Sequence, residues 1–338
     1  MSGPKRGNSR ALAWAHGVVS VESLGGMLGP TLFVLPEGRQ IAPFHIAPWA
    51  DETGNGELPG VLRRLRGEWP CVPFGGDADR APRHGWPGST ATPTLDAEAH
   101  GHGSNADWIF GAASPVELAL AIDYPDNHPV RRLERRIIPD PKQAAIDFEL
   151  AISMRHDCDL PIGLHPCIRL PHIAGGMHIE MEGKIAGATL PGDVDPSAIL
   201  APGQIAEDWH MMRLRDGSCI DPSRVPLPRH TEDLVQLLGV PGRVALHNTI
   251  EGYRLRMSWN PEHFPSLLLW NSNYGRQFAP WNGRHLALGV EPICSAFDLG
   301  PQISAANNPI AARGVPTSRK FSAGEMFVTR YRVAVEAA

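Results

Sequence analysis

The sequence predicts an all-β fold, a large antiparallel β-sandwich with few and short helices. Several segments alternate apolar and polar residues with a period of two, which is typical of strands that bury one face. The 35 glycines and 33 prolines make up about a fifth of the 338 residues without any repeat, which favours many strands joined by turns. Because sandwiches can reach this length as one unit, we expect residues 1–338 to form a single domain.

Four segments show the strand pattern most clearly. They are residues 116–123 (VELALAID), 146–155 (IDFELAISMR), 253–259 (YRLRMSW) and 326–335 (MFVTRYRVAV). In the first of them, apolar side chains at every second position from Val116 to Ile122 are expected to share a face. Each segment therefore predicts a strand with one face directed to a core.

Helical signals are few. The best candidate is HTEDLVQLLG, in which Thr231 would cap a short helix and Gly239 would end it. Residues 75–107 and 299–319 are rich in glycine and proline and lack periodicity, so we predict two long loops there. Loops of that length in a compact domain are more often functional than idle.

Charge and cysteine content limit the classes of partner. The net charge of -5 gives no overall attraction to nucleic acid or to an anionic membrane, and small ligands fit better. The five cysteines contain no CxxC pair, so we expect reduced, mostly buried thiols. No run of about 18 apolar residues occurs, and the N-terminal residues lack the apolar core of a signal peptide, so we expect a cytoplasmic protein. The oligomeric state is left open.

The segment LGVEPICSAFD places one carboxylate, Glu291, in an apolar stretch that Pro292 interrupts. An unpaired carboxylate in such a setting is costly, so it is usually paired, protonated or used in chemistry. A second candidate is His165 in DLPIGLHPCIRLP, where Pro166 would hold the imidazole near the end of a strand. A hydrogen-bonded core histidine is the alternative for that position.

Fifteen histidines raise the possibility of a metal site. His100 and His102 in AHGHGSNAD could reach one metal ion from the same face of a strand, and His84 could join them. The next acidic residue is Asp107, which does not have the spacing of a cupin-type ligand. The metal interpretation therefore stays an alternative, and we expect neither metal nor cofactor.

Several short motifs occur in a telling order. An arginine, Arg66, precedes a Gly/Pro-rich segment; HG follows with a tryptophan, Trp108, eight residues on; then HP and finally G-x-E-P. In this order the chain resembles the aldose 1-epimerase family, which has a galactose mutarotase-like β-sandwich. FPSLLLWNSNYGR and SAGEMFVTRYRVAV are similar to the family's strand ending in Leu-Trp and to its closing strand. The resemblance spans about residues 20–335.

The resemblance implies a wide sugar-binding cleft across one sheet. It implies that Glu291 is the general base and His165 the general acid. The substrate-binding residues that it implies, or that lie in the matching motifs, are Arg66, His100, His102, Trp108 and Asp233. Aromatic rings pack well on the C–H faces of sugars, and Trp270 and Trp281 are further candidates for such stacking besides Trp108.

The chemistry expected is exchange of sugar anomers. Removing the proton of the C1 hydroxyl and protonating the ring oxygen opens the ring, so one base and one acid suffice. The substrate would be a free sugar or a sugar phosphate, and a phosphate would need an arginine cluster. Candidates for such a cluster are Arg63, Arg64, Arg169, Arg276 and Arg284.

Departures from the family pattern keep a second function open. Ser104 stands where an arginine is common, and Cys167 and Ile168 replace an aromatic pair after HP. A carbohydrate-binding protein without turnover is therefore the main alternative, and a metal-dependent cupin-like enzyme is the lesser one.

Overall fold

The computed structural model describes residues 8–76, 85–87 and 98–338. Its strands are, in chain order, β1 (Ser9–Trp14), β2 (Gly17–Glu22), β3 (Leu32–Val34), β4 (Gln40–Ile41), β5 (Pro70–Cys71), β6 (Ile109–Phe110), β7 (Leu118–Asp123), β8 (Val130–Pro139), β9 (Ala145–Met154), β10 (Cys158–Leu160), β11 (Ile162–Leu164), β12 (Cys167–Arg169), β13 (Met177–Glu180), β14 (Ala186–Thr189), β15 (Ile205–Ala206), β16 (Met212–Arg213), β17 (Cys219–Ile220), β18 (Arg224–Val225), β19 (Thr231–Leu238), β20 (Arg243–Asn248), β21 (Tyr253–Trp259), β22 (Ser266–Asn273), β23 (Leu286–Cys294), β24 (Arg319–Phe321) and β25 (Met326–Ala337). The helices are short: α1 (Gly60–Arg63), α2 (Gly101–Asn105) and α3 (Gly300–Ala305), with 3₁₀ turns at Asn55–Glu57, Trp209–Met211 and Ala311–Arg313.

Two large antiparallel sheets dominate the architecture. The first, here called the front sheet, has the order β15-β14-β19-β22-β23-β11-β5, and β12 also pairs with β23. The second, the back sheet, has the order β18-β13-β20-β21-β25-β9-β8-β7-β6. A smaller sheet has the order β1-β2-β3-β4, and two two-stranded pairs, β10 with β24 and β16 with β17, complete the strands. The predicted antiparallel β-sandwich with short helices is therefore confirmed.

The main core lies between the front and back sheets. Alternate residues of the front sheet, such as Val235 and Leu269, belong to the same buried cluster as Phe148 and Val333 of the back sheet. This is the packing expected when each sheet buries one face against the other. The four segments predicted as strands coincide with β7, β9, β21 and β25, except that Val116 precedes β7 and is exposed.

The predicted helix in HTEDLVQLLG is wrong, because these residues form the central strand β19. All eight of its residues are buried. Val235 and Leu237 enter the main core, while Leu234 and Leu238 enter a second buried cluster on the opposite face of the front sheet. Because both faces of β19 are buried, apolar and polar residues do not alternate along it, and its sequence does not show the period of two.

The second predicted loop is also corrected, because α3 and the turn Ala311–Arg313 lie within residues 299–319. The first predicted loop, residues 75–107, contains α2 near its end; residues 77–84 and 88–97 lie outside the described part. In the described part of the chain, no helix has the length and apolar character of a membrane span.

Candidate active site

The outer face of the front sheet carries a cavity of about 280 Å³. The small size is close to that of pockets that enclose one small molecule. Its described lining consists of Pro59, Val61, Leu62, Leu65, Trp69, Ala99, His100, His165, Leu234, Leu268, Trp270, Arg276, Trp281, Glu291 and Asp298. Three of the seven predicted site residues, His100, His165 and Glu291, therefore meet here.

Glu291 stands on β23, near the middle of the front sheet. It is opposite Leu268 of β22, so its immediate neighbour on that side is apolar. Gly289 lies two residues away on the same face, and a β-carbon there would collide with the Glu291 carboxylate. The glycine thus leaves the space that the carboxylate occupies, and Glu291 is only 2% exposed.

His165 approaches the Glu291 carboxylate from the strand on the other side of β23. The pairing of β11 and of β12 with β23 has one continuous register, which sets His165 directly across from Glu291. Pro166 and Pro292 interrupt the hydrogen-bond ladder at this point, since neither has a backbone N–H to donate. The imidazole stacks on the Trp69 indole, with ring centroids 4.2 Å apart and planes inclined by 15°.

The two side chains face each other within the cavity. Nε2 of His165 lies 3.5 Å from Oε1 of Glu291, a distance at the outer limit of a hydrogen bond. Among the described residues Oε1 has no hydrogen-bond partner. Nδ1 of His165 lies 3.5 Å from Sγ of Cys167. A buried carboxylate oxygen that opens into a cavity without a protein partner is the feature of a group that meets a ligand.

Burial controls the protonation of this pair. It raises the pKa of Glu291 well above its ordinary value, and the neighbouring Asp298 carboxylate adds to the effect. Burial also lowers the pKa of His165 well below its ordinary value, with His100 contributing. Both shifts favour the uncharged forms, a carboxylic acid beside a neutral imidazole, in the ligand-free site.

His100 is the third polar residue at this part of the cavity, beside His165 and Glu291. Its backbone is left-handed (φ 65°) at the start of α2, and its Nδ1 accepts a hydrogen bond of 3.3 Å from the N–H of Gly75. In the neutral ring the proton then resides on Nε2, which can donate. The ring centroids of His100 and His165 are 5.0 Å apart, edge to face.

Two tryptophans and one arginine form a further part of the cavity wall. Trp270 and Trp281 are edge to face with centroids 5.8 Å apart. The Arg276 guanidinium carbon lies 4.5 Å from the Trp281 ring centroid and 5.6 Å from that of Trp270. These tryptophans were expected to contact a sugar, and both line the cavity.

Arg66 and Trp108 do not line the cavity, in contrast to the role that the resemblance implied. The buried Arg66 guanidinium pairs with Asp51 at 2.9 Å and lies 3.6 Å from Glu22. Trp108 belongs to the main core, where its Nε1 donates to the carbonyl of Gly103 at 2.7 Å. Both residues support the scaffold beside the site.

Asp233 points away from the cavity, into the opposite face of β19. Its carboxylate accepts hydrogen bonds from the backbone N–H groups of Ile199 and Leu200 at 3.3 and 3.1 Å. The neighbouring residue Glu232 is the carboxylate on the cavity side of this strand. It accepts hydrogen bonds from Trp270 Nε1 at 3.0 Å and from Ser272 Oγ at 2.6 Å. The predicted position is thus displaced by one residue, which inverts the face of a strand.

The structure separates the histidines of the metal hypothesis. The His102 ring packs edge to face against Tyr124, 5.1 Å between centroids, and does not line the cavity with His100. His84 lies outside the described residues. Within the described ranges no three His, Cys, Asp or Glu side chains are grouped so that they could hold a metal ion.

Of the five arginines considered for a phosphate site, only Arg276 belongs to the described lining. Arg64, Arg169 and Arg284 form ion pairs with carboxylates elsewhere. Arg63 donates to the carbonyl of Leu58 at 3.0 Å. These five side chains therefore do not converge into a phosphate-binding cluster.

Sequence reasoning missed three contributors to the site: Trp69, Asp298 and Glu232. Trp69 lies in the Gly/Pro-rich segment that follows Arg66, and Asp298 follows Glu291 by seven residues in a segment without strand periodicity. Glu232 could have been found by assigning HTEDLVQLLG to a strand, because Glu232 and Leu234 then share the face that Trp270 occupies on β22.

Comparisons with known proteins agree with this architecture. No family model and no curated protein sequence matches the chain. Solved structures do match: a galactose mutarotase related enzyme from Lactobacillus acidophilus has 10% identity, covers 98% of each chain and has a TM-score of 0.61. The GalM/aldose epimerase homologue from C. elegans has 11% identity, a TM-score of 0.61, and covers 98% of this chain and 99% of that one.

A galactose mutarotase-like protein from Lactobacillus casei matches with 13% identity and a TM-score of 0.57, over 97% of this chain and all of its own. At these identities the likeness concerns the fold. The chain therefore has the galactose mutarotase-like fold that the resemblance implied.

Proposed function

We propose that the protein is an aldose 1-epimerase-like enzyme that interconverts the α and β anomers of a small sugar. The observation that carries this proposal is the His165–Glu291 pair, an acid and a base 3.5 Å apart at the wall of a cavity of sugar size. Mutarotation needs a base for the C1 hydroxyl and an acid for the ring oxygen, and no other chemistry.

In the proposed reaction the Glu291 carboxylate removes the proton of the C1 hydroxyl while the His165 imidazolium protonates the ring oxygen. The C1–O bond of the ring breaks, C1 becomes an aldehyde, and rotation about C1–C2 presents its other face. On reclosure the ring hydroxyl returns its proton to His165 and Glu291 protonates the new C1 oxygen. The pair ends with the proton count with which it began.

The protonation shifts are compatible with this cycle. A carboxylic acid beside a neutral imidazole contains the same single proton as a carboxylate beside an imidazolium. The sugar hydroxyls would supply hydrogen bonds to Oε1 of Glu291, which stabilise the carboxylate form. His100, whose Nε2 can donate, would bind the sugar on the ring-oxygen side.

Free aldoses are the substrates that the site favours. Among the five arginines considered for a phosphate, Arg276 alone lines the cavity, and aliphatic side chains such as Leu62, Leu234 and Leu268 cover much of the remaining wall. Among the described lining residues, a phosphate would gain one guanidinium there in exchange for its hydration. Location in the cytoplasm and a role in carbohydrate metabolism are part of this proposal.

The direct test measures anomer exchange by magnetisation-transfer NMR with a panel of aldoses and hexose 6-phosphates. We expect acceleration over the buffer rate for at least one free aldose. Glu291→Gln should reduce kcat by about 10²- to 10⁴-fold, the range typical of a positioned acid or base. His102→Gln, outside the cavity, is the matched control and should retain the rate. An unchanged rate in Glu291→Gln would contradict the assignment.

A sugar-binding protein without turnover is the second candidate, supported by the burial that favours the uncharged forms of both members of the pair. Calorimetry on the same sugars separates the two functions. Saturable binding combined with exchange at the buffer rate would select this alternative over the enzyme.

A further inference from the structure

Arg276 is held rigidly at the cavity wall. Its guanidinium rests on the rings of Trp281 and Trp270, and its side chain is only 16% exposed. Nε of Arg276 lies 3.7 Å from Oε2 of Glu232. A guanidinium fixed by indole faces and a carboxylate has lost most of its conformational freedom before any ligand arrives. It can therefore bind a ligand acceptor at small entropic cost.

Glu232 is the centre of the contacts that hold this arginine. It is fully buried and does not itself line the cavity. It accepts hydrogen bonds from Trp270 Nε1 and from Ser272 Oγ, and Ser272 Oγ is also 2.7 Å from Nδ1 of the buried His285. One carboxylate thus fixes both the indole that forms the cavity wall and the guanidinium above it.

The sheet sets the position of Trp270, on whose ring Arg276 rests, relative to the catalytic pair. Trp270 is directly opposite Gly289, which precedes Glu291 by two residues on β23. The Cα atoms of Gly289 and Glu291 are therefore about 7 Å apart, and the Trp270 and Glu291 side chains point to the same face. A pyranose whose C1 lies at Glu291 would then extend its opposite side, which carries the C4 substituent, toward Trp270 and Arg276.

We propose that Arg276 determines substrate specificity by binding the C4 hydroxyl of the sugar, and that Glu232 is the positioning residue that holds Arg276 and Trp270 for this contact. The inference rests on the proposed function for the orientation of the sugar. Guanidinium N–H groups donate to the hydroxyl oxygen, and no bond is made or broken. A sugar without the C4 hydroxyl forgoes this charge-assisted hydrogen bond, which weakens its binding.

The experiment compares D-glucose and D-galactose with 4-deoxy-D-xylo-hexose, which lacks the C4 hydroxyl of both. Dissociation constants come from calorimetry, and kcat and KM come from magnetisation-transfer NMR. For the wild type we expect at least one of the two hexoses to bind about 10- to 100-fold more tightly than the deoxy sugar, as for a hydrogen bond to a charged group. In Arg276→Met this preference should vanish, with KM raised and kcat changed much less.

Glu232→Gln tests the positioning role. Glutamine can still accept a hydrogen bond from Trp270, but it removes the charge that faces Arg276. We expect part of the C4 preference to be lost, and no further loss of this preference when Glu232→Gln is added to Arg276→Met, because the Arg276 contact that Glu232 supports is already absent. Full additivity of the two substitutions would overturn the positioning role.

Asp233→Asn is the matched control, because this neighbouring carboxylate points to the opposite face of the same strand. We expect it to lower the melting temperature and to leave the C4 preference intact. If Glu232→Gln does not fold, Arg276→Lys takes its place: it keeps the charge and removes the planar fork, and should also weaken the preference. A C4 preference that survives in Arg276→Met would overturn the inference. The inference would also be overturned if Arg276→Met changed only the preference for D-glucose over 6-deoxy-D-glucose, which reports on the C6 hydroxyl.

The outcomes separate this inference from the proposed function. Sugar binding without anomer exchange would exclude the proposed enzymatic function. The calorimetric comparison would still test the role of Arg276 in binding. Normal exchange with an unchanged preference in Arg276→Met removes the inference alone. Failure of every sugar to bind the wild type removes both.

Discussion

His165 and Glu291 lie directly across from each other in the front sheet, with Nε2 of the imidazole 3.5 Å from Oε1 of the carboxylate. The strand register thus assembles two residues that are 126 positions apart in the sequence. Because the neutral pair and the ion pair hold the same single proton, the proton can pass between them without exchange with solvent. The pair behaves as one titrating unit.

The pH dependence of kcat/KM should reflect this shared proton. At low pH a second proton must bind the His165 imidazole, whose pKa is lowered. At high pH the shared proton must leave the Glu291 carboxyl, whose pKa is raised. We therefore expect the acid limb below pH 6.5 and the alkaline limb well above pH 4.5. Anomer exchange measured from pH 4 to 10 checks this. An acid limb at or above pH 6.5 would contradict the protonation state described for the pair.

Gly289 should be required for the position of the Glu291 carboxylate. In Gly289→Ala the added β-carbon would meet that carboxylate and the Trp270 side chain. We expect kcat to fall about 10- to 100-fold, since displacement of a catalytic group by about 1 Å can cost this much. Gly192→Ala is the control, because nothing lies within 4 Å of its β-carbon position. Equal rates in both variants would refute the steric argument.

The sequence predicts the sandwich well, because most back-sheet strands bury one face and expose the other. The alternation in YRLRMSW and MFVTRYRVAV survives in β21 and β25. It fails for β19, where a second layer covers the outer face and every position is buried. The prediction that residues 1–338 form a single domain stays a prediction.

Site residues could be predicted where a sequence motif identified them. They could not be predicted where only the strand register determines which residue faces the cavity side. Glu291 and His165 were identified from their motifs, and both line the cavity. Asp233 and Glu232 differ by one position, and only the pairing of β19 with β22 reveals which of the two faces the cavity side. Arg66 was assigned from its motif alone, without its carboxylate partners, which are distant in sequence.

Arg66 should contribute to stability and leave sugar binding unchanged. Its guanidinium is 2% exposed and lies against Glu22, a carboxylate that is itself buried. Arg66→Met leaves that carboxylate with Arg64 as its remaining cation, at 3.2 Å. We expect a loss of about 1–3 kcal/mol in the free energy of unfolding, because Glu22 and the carbonyl of Arg64 each lose a polar partner. Urea unfolding and KM for the sugar check this, and a raised KM at unchanged stability would restore a binding role.

Metal chelation should not affect anomer exchange. Glu291 and His165 supply the base and the acid, and His102 is turned toward Tyr124 and away from the cavity that His100 lines. After incubation with EDTA and removal of the chelator, we expect the rate to match that of untreated protein. A lost rate that Zn²⁺ or Mn²⁺ restores would revive the metal-dependent alternative.

Replacing Glu291 by glutamine should stabilise the protein increasingly as the pH rises. In the unfolded chain the carboxyl titrates near its ordinary value of 4.5, whereas in the folded protein burial holds its pKa well above that value. The favourable contribution of the protonated form is therefore complete below pH 4.5 and is lost as the pH rises through the folded pKa.

Glutamine does not titrate, and the groups outside the His165–Glu291 pair are expected to titrate alike in both proteins. The difference in unfolding free energy between Glu291→Gln and the wild type should therefore grow by up to about 1.4 kcal/mol per pH unit above pH 4.5, until the folded carboxyl ionises. Urea unfolding of both proteins at pH 5, 6, 7 and 8 measures it. A difference that is constant or shrinks with pH would mean that Glu291 is already ionised without ligand, so that it needs no proton transfer to His165 before acting as the base.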